Sequence, residues 1–374
     1  MESLPRLTIR ALRATPVTIP LTYVLGTSAA AVRAAPVLLV DLDTDEGVTG
    51  HAYQFCYRAA AAPAIARFLD DITDAVRGEV VAPADLWLAL SKRYTLIGVE
   101  GIVRMAMSLL DVAAWDALAK AAGHPLSRIL GAAARPIPAY NSNGLGLMPP
   151  SRLGDEAERL LEGGFQGVKL RLGYPTLEED VAAVRAVRAR IPGHVAVMVD
   201  YNQALSAEEA LRRGRALDAE GLSWIEEPVR HDDFAACAAL ARALATPIQI
   251  GENFSQVYDM QKALEAEASD LVMPDLERIG GVTGWQRASA LAAGAGIAMS
   301  SHLYPEVSAH LLTATPTAHW LEYVDWMNPL LVEPLRLVDG MAVPSSQPGL
   351  GLEWNREMVR KYADGQVYFR SRGQ

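Results

Sequence analysis

Chargeable residues stand at the ends of seven short apolar runs, and most recur at intervals of about 26 residues. A βα unit needs roughly this length for a strand, a turn, a crossover helix and a return. When such units close into a barrel, the residues at their strand ends share one face, which is where barrel enzymes carry their chemistry. The run-ending residues are Arg171, Asp200, Glu226, Glu252, Asp275, His302 and Glu322.

Three carboxylates, Asp200, Glu226 and Glu252, come from successive runs. Carboxylates that face one space repel each other unless they are protonated or share a cation. Oxygen ligands without a neighbouring Cys or His favour Mg²⁺, with Mn²⁺ as an alternative, over Zn²⁺. A single acid at a strand end usually caps the following helix, but three at equal steps predict a divalent-metal site.

The remaining run-ending residues offer groups for proton transfer. Asp275 and His302 end neighbouring runs, and a carboxylate beside an imidazole fixes its tautomer and makes it a usable general base. Lys169 and Arg171 are two residues apart, so their side chains share one face of a strand. Glu322 is predicted to donate a proton or a hydrogen bond to a developing oxyanion. Together they predict removal of a weakly acidic proton next to a substrate carboxylate.

Composition excludes several classes of function. The 374 residues carry 34 basic and 44 acidic side chains, a net charge of −10, and no basic cluster, which argues against nucleic acid as a partner. No apolar stretch is long enough to span a bilayer, and the first residues do not form a secretory signal. Two isolated cysteines, Cys56 and Cys237, fit a reducing compartment, so we expect a cytoplasmic protein.

The pattern of strands and helices divides the chain into three parts. Residues 1–135 show alternating, β-branched strands followed by helices, which predicts a compact α+β domain. Residues 136–325 carry the βα rhythm, which predicts an α/β barrel. The rhythm stops after Glu322, and in residues 326–374 the segments GLGLEW and QVYFR are predicted to form short strands that return to the first domain.

Eight motifs follow one another nearly from end to end: VKLRLGYP, MVDYNQ, WIEEP, GEN, MPD, IGGVTGW, SSHL and ATPTAHWLE. On these motifs the chain resembles the enolase superfamily and, within it, the mandelate racemase group. The resemblance implies an α+β capping domain, built from both chain ends, over a (β/α)₇β barrel. It also implies a Mg²⁺-dependent enzyme with a small-molecule carboxylate substrate, and a homo-oligomer, an octamer by family resemblance.

The resemblance also assigns roles. The three carboxylates resemble the Mg²⁺ ligands, His302 with Asp275 the base on one substrate face, and Glu322 the acid on the substrate carboxylate. Lys169 resembles a lysine that contacts that carboxylate. Segment 21–35 resembles the family's lid, whose apolar wall would suit an aryl or alkyl group and whose one charge is Arg33. The residues expected to contact the substrate are Ser142, Asn202, Leu25, Ala29, Val32, Phe55 and Tyr57.

One position departs from the family pattern: Arg171 stands where the family racemase has the second lysine of K-x-K, its other base. Deprotonating an ordinary guanidinium at pH 7 costs about 7 kcal/mol, whereas an ammonium is tuned more easily. Our first hypothesis is a mandelate racemase-like enzyme that acts on an aryl or alkyl 2-hydroxycarboxylate through a metal-stabilised enediolate. The alternative is an acid-sugar dehydratase that uses His302 as its single base, with Arg171 binding the substrate. A third hypothesis is a non-enzymatic metal-binding scaffold.

Overall fold

The N-terminal part is an antiparallel sheet with a layer of helices packed on it. The computed structural model describes residues 6–28 and 31–363, and the backbone of 368–369. Alternating β-branched residues form the strands, and apolar stripes on the helices cover the sheet. The elements are β1 (Ile9–Gly26), β2 (Ala31–Thr44), β3 (Thr49–Phe55), α1 (Ala61–Val76), α2 (Pro83–Arg93) and α3 (Gly101–Ala121).

The first two strands form a long antiparallel hairpin. The β1–β2 pairing continues to Gly26 opposite Ala31, so the predicted lid at 21–35 is the far end of this hairpin. Gly26 contacts the loop after the first barrel strand, where Leu147 N donates to Gly26 O at 2.9 Å. A Cβ on Gly146 would lie 2.4 Å from the Gly26 nitrogen, so only glycine permits this close approach.

Eight parallel strands form the predicted barrel. Neighbouring strands follow one another in chain order from β4 to β10, and β11 pairs with β4. A bridge between Met299 of β10 and Ala318, just before β11, closes the barrel. The strands are β4 (Ile137–Asn141), β5 (Gly167–Arg171), β6 (Ala196–Asp200), β7 (Trp224–Glu226), β8 (Ile248–Ile250), β9 (Leu271–Val272), β10 (Ala298–Met299) and β11 (Leu321–Tyr323).

The remaining helices follow the barrel strands, except the first, which precedes them, and the last, which lies in the C-terminal tail. Within the described residues no helix combines the length and apolarity needed to cross a bilayer. The helices are α4 (Leu126–Ile129), α5 (Pro150–Leu160), α6 (Leu177–Arg188), α7 (Ala207–Leu217), α8 (Phe234–Ala243), α9 (Val257–Glu265), α10 (Leu276–Ile279), α11 (Gly281–Ala295), α12 (Pro305–Thr313) and α13 (Arg356–Tyr362), with a 3₁₀ turn at Asn328–Leu330.

The C-terminal tail contacts both parts of the molecule. A hairpin that the sequence did not predict, β12 (Arg336–Val338) and β13 (Met341–Val343), adds to the start of β4. The strand predicted in GLGLEW is wrong, because these residues make only two isolated bridges, Gly349 with Pro125 and Trp354 with Leu331. In QVYFR, β14 (Tyr368–Phe369) pairs with β1. The domain limits at 135/136 and 325/326 stay predictions.

Buried polar contacts fix the capping sheet and its helices against the barrel. On α3, Asp111 accepts hydrogen bonds from the backbone and hydroxyl of Thr283, which lies on α11. The Ser108 hydroxyl, also on α3, donates to a carbonyl of α10 at 2.7 Å. On the other side of the interface, Tyr53 of β3 donates to the carboxyl of Glu306 on α12. These contacts hold the lid hairpin over the carboxyl ends of the barrel strands.

Candidate active site

The three predicted metal ligands converge at the carboxyl ends of the barrel strands. Asp200 and Glu226 are the last residues of β6 and β7, and Glu252 follows β8 after Gly251, whose φ of 137° turns the chain towards the barrel axis. One oxygen from each carboxylate lies within 4.8 Å of the others. Asp200 and Glu226 are buried and Glu252 is half-buried. Three hard oxygen donors at this spacing fit a divalent cation of the Mg²⁺ type.

Lys169 faces this triad from β5. Its Nζ lies 2.8 Å from Glu226, 3.6 Å from Asp200 and 2.7 Å from Glu322. Burial alone would lower the pKa of the ammonium, but these carboxylates raise it well above its ordinary value. Burial raises the pKa of Glu226, and repulsion from the neighbouring carboxylates raises it further, while the attraction of Lys169 lowers it. The result is a pKa of about 8. The single positive charge of Lys169 does not neutralise all of these carboxylates, and a divalent cation would balance the remaining negative charge.

Sequence reasoning missed two residues beside the triad. Glu227, buried next to the predicted ligand Glu226, accepts two hydrogen bonds from the Asn253 amide at 2.8 and 2.9 Å. Arg278 donates to the carbonyl of Glu252 at 2.9 Å, and its guanidinium lies 4.7 Å from the ring centre of Tyr57. The doubled acid in WIEEP was an available signal for Glu227. Nothing local marked Arg278, which reaches the site from α10.

His302, the predicted general base, lies in contact with its predicted partner Asp275. His302 Nδ1 lies 2.7 Å from Asp275 Oδ2, and the other oxygen of Asp275 accepts the backbone N–H groups of Glu277 and Arg278 at the start of α10. These bonds anchor the carboxylate, so it holds the imidazole with Nδ1 as the donor and Nε2 turned into the site. Burial would lower the pKa of His302, but Glu252, Glu322 and Asp275 raise it well above its ordinary value.

Arg171 sits across the barrel end in a cage of oxygen acceptors. Its Nη1 donates to the carbonyls of Ser142, Gly144 and Lys169 at 2.9, 3.2 and 3.3 Å. Its Nη2 donates to the Ser142 hydroxyl at 2.9 Å. The side chain is only 5% exposed. Four acceptors fit a protonated guanidinium, which has no lone pair to offer a substrate proton.

Glu322 is held as a hydrogen-bond acceptor. The Ser142 hydroxyl donates to it at 2.7 Å and the Leu303 backbone at 2.8 Å, in addition to Lys169. Burial would raise the pKa of Glu322, but Lys169, His302 and these donors lower it to about 2. This geometry describes an ionised carboxylate, so the proton-donating role predicted for Glu322 stays a prediction.

A cavity of about 560 Å³ connects this polar end to the capping domain. The predicted Leu25, Val32, Phe55 and Tyr57 line it, with Phe55 packed 4.9 Å from the ring centre of Trp326. Asn202 lines it too and donates to Asp200 at 3.0 Å. Ser142 contacts Arg171 and Glu322, and its contact with a substrate stays a prediction. Ala29 lies outside the described residues.

Family models match nearly the whole chain. Residues 9–131 match the mandelate racemase / muconate lactonizing enzyme N-terminal domain. Residues 152–358 match the enolase C-terminal domain-like model.

Individual proteins are similar over the same span. The L-talarate/galactarate dehydratase of Salmonella typhimurium is 34% identical over 87% of this chain and 82% of its own length. The crystal structure of an enolase from alpha proteobacterium BAL199 with bound Mg has 43% identity and a TM-score of 0.94, covering 96% of this chain and 99% of that one. A Bradyrhizobium enolase complexed with magnesium and mandelic acid has 40% identity and a TM-score of 0.92 at the same coverage.

Proposed function

The chain belongs to the mandelate racemase / muconate lactonizing enzyme group of the enolase superfamily, and we propose that it is a Mg²⁺-dependent dehydratase of sugar acids. The substrate is a 2,3-dihydroxycarboxylate, and the product is the 2-keto-3-deoxy acid. The proposal favours the dehydratase hypothesis over the racemase hypothesis. It is supported by the similarity to a talarate/galactarate dehydratase.

The observation that carries the proposal is that, among the described residues, one side of the site offers an oriented imidazole and the other a guanidinium. His302 directs Nε2 into the site and is oriented by Asp275, whereas the guanidinium of Arg171 is engaged by four acceptors. Racemisation requires proton transfer on both faces of the α-carbon. Elimination requires one base on one face, if the same group also protonates the leaving hydroxyl.

The residues of the site account for both proton transfers of the elimination. His302 Nε2 takes the α-proton, and the electron pair of that C–H bond moves into the carboxylate to give an enediolate. The bond from the β-carbon to its hydroxyl then breaks, and His302 returns the proton so that water leaves. The resulting enol becomes the 2-keto acid. His302 ends as it began, and no oxidant is needed.

The other polar residues stabilise the charge that develops. Asp200, Glu226 and Glu252 would hold Mg²⁺, which supplies positive charge next to the substrate carboxylate. The Lys169 ammonium, fixed between Glu226 and Glu322, is placed to donate to the same carboxylate. The developing negative charge is therefore stabilised by groups already in position before the proton moves.

A second candidate is racemisation of an aryl or alkyl 2-hydroxy acid. It is favoured by the apolar wall of Leu25, Phe55 and Trp326 and by the mandelic acid in the similar Bradyrhizobium structure. Mandelate has no β-hydroxyl, so it cannot be dehydrated.

The two candidates separate in one assay. The purified protein with Mg²⁺ is given a panel of sugar acids and both enantiomers of mandelate, and 2-keto acids and optical rotation are followed. We expect keto acid from at least one sugar acid and constant rotation with mandelate. Keto acid from none, together with racemised mandelate, would exclude the dehydratase. The cytoplasmic location and the homo-oligomer stay predictions.

A further inference from the structure

Two arginines from the capping domain line the mouth of the active-site cavity. Arg33 lies on β2 in the lid hairpin, and Arg58 follows β3. Both are exposed, and within the described residues neither side chain makes an ion pair or a hydrogen bond. The inner guanidinium of Arg278, by contrast, donates to a carbonyl and an amide oxygen. The mouth therefore holds two guanidiniums that are not paired with any acidic side chain of the described residues.

These arginines belong to the capping domain, whereas the reacting groups belong to the barrel. The metal ligands, Lys169 and His302 lie on the barrel strands or just after their carboxyl ends, whereas Arg33 lies on β2 and Arg58 just after β3 of the capping sheet. A substrate whose first carboxylate is held by the barrel therefore extends its far end towards the two guanidiniums. Around them the lining of this end is largely small or apolar, with Ala31, Val32 and Ala34 on β2.

We propose that Arg33 and Arg58 bind a second carboxylate at the far end of the substrate, so that the preferred substrates are dicarboxylic sugar acids. This rests on the proposed dehydratase function and narrows its substrate class. A guanidinium pairs with a carboxylate through two parallel hydrogen bonds, and charge-assisted bonds are stronger than those to a neutral hydroxyl. In a chain of net charge −10, this local positive charge also helps a dianion to enter.

Arg33 also lines a neighbouring cavity of about 740 Å³, together with Arg152 and Arg159 of α5. Its replacement alone could therefore report on either cavity. Arg58 lines only the first of the two, so the test replaces each arginine separately and both together.

The experiment compares galactarate with galactonate, which differ at the far end by a carboxylate against a hydroxymethyl group. Initial rates of keto-acid formation give kcat/KM for wild type, Arg33→Gln, Arg58→Gln and the double variant. The matched control is Arg67→Gln, which removes an exposed guanidinium paired with Asp70 on α1. Circular dichroism and thermal unfolding check that each variant is folded.

We expect wild type to prefer the diacid, and each replacement to lower kcat/KM for galactarate about tenfold to a hundredfold while changing that for galactonate less than about threefold. Arg67→Gln leaves both values at those of wild type. A preference for galactonate, or variants that lower both values equally, would overturn the second-carboxylate site while leaving the dehydratase in place. Absence of keto acid from either acid and from the wider panel would refute the dehydratase itself.

Discussion

The two sides of the barrel end carry chargeable residues at equivalent strand ends, yet only one is built for proton transfer. On the imidazole side, His302 is held by Asp275 through Nδ1 and keeps Nε2 turned into the site. On the guanidinium side, the two terminal nitrogens of Arg171 donate to carbonyl and hydroxyl oxygens. The difference teaches that the partners of a side chain decide its role. Asp275 orients the imidazole so that Nε2 faces the site, 3.1 Å from Glu252, whereas four acceptors hold the guanidinium in place.

The largest effect is expected from removing the metal, on which both sides depend. Chelation with EDTA should reduce keto-acid formation to background, because one lysine cannot balance the carboxylates around it. Added Mg²⁺ should restore the activity and raise the unfolding temperature, because it binds only the folded site. Activity that survives chelation, or an unfolding temperature insensitive to Mg²⁺, would contradict the assignment of Asp200, Glu226 and Glu252.

The next effect tests the imidazole side alone. His302→Asn should lower kcat on the order of 10³-fold and abolish α-proton exchange in D₂O, because no other group on that face accepts the proton. A matched control is His310→Asn, since His310 is also buried but accepts a backbone hydrogen bond from Ser127 at 3.3 Å, outside the cavity. Equal exchange by wild type and His302→Asn would refute the base assignment.

Replacing the guanidinium should have a smaller effect and sharpens the contrast between the sides. Arg171→Lys should lower dehydration about tenfold, because the Ser142 hydroxyl loses a charged donor. The variant should also gain slow α-proton exchange with substrate of the opposite configuration at the α-carbon, since an ammonium can be tuned to act as a base. NMR in D₂O with substrates of both α-configurations measures this exchange. Arg213→Lys, at another buried arginine, which pairs with Asp180, is the control. If wild type already exchanges both enantiomers, the single-base mechanism is wrong.

The smallest effect concerns the stability of the folded protein. On the imidazole side, Glu306 of α12 accepts a hydrogen bond from the Tyr53 hydroxyl. Burial raises the pKa of Glu306 to about 7 from an ordinary 4.5. Because the folded state holds this proton more tightly, the contribution is complete below pH 4.5 and is lost as pH rises through about 7. The loss amounts to at most about 3 kcal/mol.

Glu306→Gln should therefore remove part of the fall in stability between pH 5 and pH 8, measured by urea unfolding at each pH. The exposed Glu265→Gln should keep the full fall. An unchanged pH dependence in Glu306→Gln would show that Glu306 does not hold a proton in the folded protein.

Much of the site followed from spacing along the chain. Parallel strands place their carboxyl ends together, so acids at equal steps had to converge once the units formed a barrel. For this reason the triad and the pair of Asp275 with His302 were predictable. The β12–β13 hairpin was not, because its strands of three residues carry no clear period and pair with a strand about 200 residues earlier.

The sequence by itself determined which chemistry is available: a metal site, an imidazole with its carboxylate, and a guanidinium in place of a second lysine. Tertiary structure alone decided how these groups are used. The cage around Arg171, the three donors on Glu322 and the two arginines at the cavity mouth depend on contacts between distant segments. Such contacts are set by packing and by rotamers rather than by local periodicity, and they determine whether a charged group transfers a proton, holds another side chain or binds a substrate.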